Sequence, residues 1–112
     1  MVEMIYKICP KSLWQDAVSQ GVFHGAGIDI ADGYIHFSTK EQAAETARLH
    51  FAGQSDLVLV EIAVSEIDIT WEASRGGQLF PHLYDSLPLS ATRRIWDLPL
   101  SKDGIPQLPD LN

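Results

Sequence analysis

The run Leu57-Val58-Leu59-Val60-Glu61-Ile62-Ala63-Val64 constrains this chain more than any other segment. It is apolar at odd and even positions alike, so a strand built from it needs cover on both faces and belongs in the middle of a sheet. Around it, Ile5-Tyr6-Lys7-Ile8 reads as a strand cut off by Pro10, and residues 91–98, with Arg93, Ile95 and Trp96, as a late strand. The turn over residues 65–68 makes Ile69-Thr70-Trp71-Glu72 the hairpin partner of the central strand.

Two early helices complete the pattern. Ser12 with Gln15 forms a capping box, Leu13, Trp14, Ala17 and Val18 supply an apolar face, and Gly21 ends the helix. Residues 25–33 hold three glycines and two aspartates and read as a loop long enough to be a flap. Tyr34 to Phe37 alternates as a strand, with Ile35 and Phe37 on one face and Tyr34 and His36 on the other. A second capping box, Ser38 with Glu41 or Thr39 with Gln42, opens a helix carrying Ala43, Ala47, His50 and Phe51 and ending near Gly53. Helices early and an antiparallel sheet late define an α+β fold. The 112 residues suffice for a single domain, 1–112, in which the Pro-rich residues 98–112 form an extended C-terminal arm.

A net charge of −7 disfavours nucleic acid and anionic membranes as partners. Glu61 interrupts the longest apolar stretch, and the start lacks a basic segment followed by an apolar one, so neither a membrane span nor a signal peptide is expected. Cys9 is the sole cysteine, which excludes an intramolecular disulfide and a thiolate cage and fits a cytoplasmic location. The four histidines lack the close spacing of a metal site, and no metal is expected.

His36 stands immediately before a helix whose first turn offers free N–H groups, a place that suits an anion or a ligand hydroxyl. It equally suits a half-buried strand residue, with Ser38 and Thr39 acting only as caps. Arg75-Gly76-Gly77 would let a guanidinium and backbone N–H groups approach a phosphate, or is a plain turn. Phe80-Pro81-His82-Leu83-Tyr84 mixes aromatics and a histidine as pockets for flat rings do, or plugs the core. Glu72, close to Arg75, is the carboxylate of interest; the two also suit a simple salt bridge.

Ile5-Tyr6-Lys7-Ile8, Trp14, Asp32-Gly33-Tyr34-Ile35-His36-Phe37-Ser38-Thr39 with Gln42, His50-Phe51-Ala52-Gly53-Gln54, Leu57 to Glu61 and Trp71-Glu72-Ala73-Ser74-Arg75-Gly76-Gly77 with Phe80-Pro81-His82-Leu83-Tyr84 together resemble the uncharacterised bacterial family known as domain of unknown function 952. The resemblance implies an ADP-ribosyltransferase-like fold, a split antiparallel β arrangement with two early helices packed on it. Within it the chain looks most like the RNA 2′-phosphotransferase branch. That likeness implies a nucleotide-type ligand, NAD or a relative, as substrate or ligand, with no required cofactor. His36, His82 and Glu72 would then be catalytic, and Ser38, Thr39, Arg75, Gly76, Phe80 and Tyr84 ligand-binding. The first strand lacks the histidine many such transferases carry, and no glutamate follows Glu72. A non-catalytic module for a nucleotide or small anion, and a protein-interaction domain, are the alternative readings.

Overall fold

In the computed structural model, which describes residues 2–112 apart from the side chain of Arg75, the central run is strand β4, Leu57–Ala63, buried along its whole length. It lies between β1 (Met4–Pro10) and β8 (Thr92–Leu98) in an antiparallel sheet of order β1-β4-β8. The two faces belong to different cores. On one, Ile5, Cys9, Val58, Val60 and Ile62 meet Trp14 and Ala17 of helix α1 (Lys11–Gln20) together with Phe23, Ile35, Phe37 and Leu83. On the other, Tyr6, Ile8, Leu57, Leu59 and Leu98 meet Ala47 of helix α3 (Lys40–His50) and Leu108 and Leu111 of the C-terminal arm. Each buried Leu or Ile contributes about 1.5–3 kcal/mol, which is why a strand apolar on both faces settles here.

Three features differ from the sequence reading. The segment after β4 does not form its hairpin partner, because both edges of β4 are already taken; β5 (Thr70–Ala73) pairs with β6 (Leu79–Leu83). Residues Gly27–Asp32, expected within a loop, form a short helix α2, which makes three α-helices among the described residues. Helix α1 begins at Lys11, which places Ser12 inside the first turn and leaves its capping box unformed. The expected stop holds, with Gly21 left-handed at φ 80°. At α3 the Thr39–Gln42 box is the one that forms, while Ser38 instead bridges to Tyr6 through both backbone bonds. His50 is exposed at the end of that helix, off its buried face.

A second sheet, of order β3-β6-β5, uses the two-residue strand β3, Ile35–His36. A third pairs β2 (Val22–Phe23) with β7 (Leu87–Pro88). Among the described residues no helix is long and apolar enough to cross a membrane.

Candidate functional site

Alternation along β3 buries Ile35 and Phe37 and leaves His36 on the opposite face with Tyr34. Antiparallel pairing sets His36 directly opposite His82, with ring centroids 5.3 Å apart. Glu72 on β5 lies diagonally across from His82, within the reach of such neighbours, and its Oε1 stands 2.8 Å from His82 Nδ1. Tyr84, two residues beyond His82, donates its hydroxyl to the same oxygen at 2.6 Å. Tyr34 completes the group, its ring 4.6 Å from His36, 4.3 Å from His82 and 5.0 Å from Tyr84. His36, His82, Glu72 and Tyr84 are therefore one cluster.

Ser38 and Thr39 lie elsewhere, and Phe80 borders the cluster as the cross-strand partner of Glu72. Thr39 is spent on capping Gln42, and Ser38 is buried with its hydroxyl on Thr46, 2.9 Å away; among the described residues neither contacts the histidines. Phe80 is buried opposite Glu72, and Gly76 sits at φ 67° in the turn after β5. The Arg75 side chain falls outside the described residues.

Beneath His36 lies an ion-pair centre that the sequence reading missed. Asp29 of α2 and Lys7 of β1 meet at 2.7 Å, with the carboxylate fully enclosed and the lysine side chain 6% exposed. Asp29 also accepts from Ala26 N at 2.8 Å, His36 N at 3.1 Å and His36 Nδ1 at 2.6 Å, while Lys7 donates to His36 O at 2.9 Å. Burial works to raise the Asp29 pKa, but Lys7, the Ala26 N–H and His36 outweigh it and hold the carboxyl below its ordinary value. The second nitrogen of His36 faces Asp32 at 3.0 Å. The hydrogen bond from Tyr84, then that from His82, keeps Glu72 anionic below its ordinary range, and the same bond lifts the Tyr84 phenol to about 12.

Tyr34, Tyr84, Asp29, His24, Asp85 and Ser86 line an adjoining cleft of about 320 Å³, at the small end for organic ligands. A larger depression of about 830 Å³, around Met4, Val64, Trp71 and Arg93, contains no histidine. Among the described residues no group of three or more His, Cys, Asp or Glu is placed to hold a metal ion.

The class so defined is a small α+β protein whose two facing histidines are each held by a carboxylate. The chain belongs to the family described as "Protein of unknown function (DUF952)", whose model matches residues 8–95. It is similar to protein CC0527 from Caulobacter crescentus. The crystal structure of that protein is 49% identical with a TM-score of 0.90, covering 93% of each chain. Its solution NMR structure is 50% identical with a TM-score of 0.82, covering 93% of this chain and 91% of that one. No curated protein matches.

Proposed function

We propose that the His36–His82 face, beside the cleft lined by Tyr34 and Tyr84, holds a nucleotide-type ligand, NAD or a relative, and that the chemistry is glycosyl transfer on an ADP-ribosyltransferase-like scaffold. The observation that carries this reading is Glu72. Its Oε1 takes the bonds from Tyr84 and His82, and among the described residues the other carboxylate oxygen has no hydrogen-bond partner. An anionic oxygen held in place beside aromatic rings suits a ribosyl carbon that gains positive charge as its bond to the base breaks. His36, through its ring face, and Tyr84 would contact the ribose and the base.

Lys7 favours a second reading, a binding module without turnover. It occupies the first strand, where a transferase would present a histidine, and its ammonium is consumed by Asp29. Thermal-shift titration with NAD, ADP-ribose, nicotinamide and 2′-phosphorylated RNA ends, alongside an assay for released nicotinamide, separates the two. Saturable binding abolished by His36→Ala and His82→Ala supports the cleft, and nicotinamide release suppressed by Glu72→Gln with binding retained supports transfer. Absence of binding by all four at millimolar concentration refutes both.

A further inference from the structure

The two facing histidines are chemically unequal. His36 has a carboxylate oxygen against each ring nitrogen, Asp29 at 2.6 Å and Asp32 at 3.0 Å, so neither nitrogen is left for another partner. His82 has one such contact, from Nδ1 to Glu72. Its Nε2 has no protein partner among the described residues, yet it is not among the buried polar atoms sealed from solvent, although the side chain is only 4% exposed. The ring is packed away, and its unused nitrogen is not fully sealed.

Hydrogen-bond accounting then sets the tautomer. Glu72 as a carboxylate accepts only, so the proton in the Glu72–His82 contact sits on His82 Nδ1, as Tyr84 supplies its own to the same oxygen. In the neutral ring Nε2 carries the lone pair. We infer that His82 Nε2 is the proton acceptor of this site, that Glu72 and Tyr84 are its positioning residues, and that the ligand or co-substrate it recognises presents an O–H group there.

The inference rests on the ligand-cleft reading and extends it to the incoming nucleophile. The O–H proton passes to Nε2 as the oxygen forms its bond to the anomeric carbon. The bond from that carbon to the departing base breaks, and the base leaves with the electron pair. His36, held at both nitrogens, takes no part in the proton transfer. Differently placed neighbours thus divide the roles of two like residues.

Long-range nitrogen–proton NMR correlation on the labelled full chain tests the assignment without any ligand. The expected result is a protonated Nδ1 and a bare Nε2 for His82, retained in Glu72→Gln, which keeps an acceptor oxygen, and lost in Glu72→Ala. A proton on Nε2 in the unsubstituted protein overturns the inference, as does a tautomer indifferent to Glu72→Ala. Titration with ADP-ribose then reports on the ligand: its hydroxyl is expected to shift the Nε2 resonance. His82→Phe, which keeps a ring in the stack, is expected to weaken binding at least about tenfold, the scale of a lost hydrogen bond to a buried group. Binding that leaves Nε2 unmoved overturns the acceptor role. Absence of binding with the tautomer intact removes the nucleotide reading and leaves the tautomer itself standing.

Discussion

Replacing Asp29 by Asn puts the ion-pair centre to its strictest test. The substitution preserves shape and one acceptor oxygen but withdraws the charge facing Lys7, whose side chain is 6% exposed and whose only other partner among the described residues is the carbonyl of His36. Breaking a buried pair by neutralising one member costs about 3–5 kcal/mol, because the surviving charge stays desolvated. Against a total stability of about 5–15 kcal/mol, that is a large share. With a urea slope of about 2 kcal/mol per M, the midpoint should fall by about 2 M. The double variant Asp29→Asn with Lys7→Met removes both charges and should recover about half the loss or more, a coupling that equilibrium urea unfolding of the four proteins measures directly. If Asp29→Asn costs less than about 1 kcal/mol, or the double variant loses the full sum of the singles, the picture of a mutually dependent buried pair is wrong.

Asp29 and Glu61 both ionise below their ordinary values, Glu61 chiefly through its hydrogen bonds from Arg94. Their stabilisation is complete above the ordinary carboxylate range and lost as the pH falls through the depressed folded values, so urea midpoints should drop below about pH 4. Tyr6 acts at the other end: burial, then its bond to Glu61, raises its phenol from 10.0 to about 12, so its contribution is present below 10.0 and fades as the pH climbs towards 12. A stability profile flat at both extremes contradicts these assignments. Gly25→Ala should cost about 1–3 kcal/mol in thermal or urea unfolding, since φ is 111° and the new carbon would lie 2.8 Å from Asp29 Cβ; an unchanged melt contradicts this. In Glu72→Gln, ultraviolet titration should find the Tyr84 phenol ionising well below about 12, and a value that does not move would show that Glu72 is not its cause.

Legibility in the sequence followed the range of the forces involved. The central place of Leu57–Ala63 was readable because an all-apolar strand has nowhere else to go, and the Gly21 stop because a left-handed residue ends a helix locally. The face shared by Tyr34 and His36 followed from strand alternation alone. The Glu72–His82 contact and the pairing of β5 with β6 did not, since only the full sheet topology decides which strand lies beside which. Helix α2 was hidden by the glycines in and around it and by its six-residue length; what holds it is Asp29, whose partner Lys7 is 22 residues distant. One signal was there to be used: Lys7 lies between Ile5 and Cys9 on a core-facing alternation, and a charge so placed requires a buried counterion.

The arrangement of β4 between β1 and β8 bears on how the chain comes to be folded. Met4 pairs with Ala63 and Leu57 with Leu98, so both neighbours of the most apolar strand are remote in sequence. Long loops must close before that strand gains cover, a topology associated with slow folding. During synthesis, a chain that has not yet released residues 92–98 carries β4 with one bare edge, the template on which strands of separate molecules add to one another. Strand β8 is therefore a seal as well as a structural member, and a chain cut short before Thr92 should be found in aggregates more readily than as a soluble fragment.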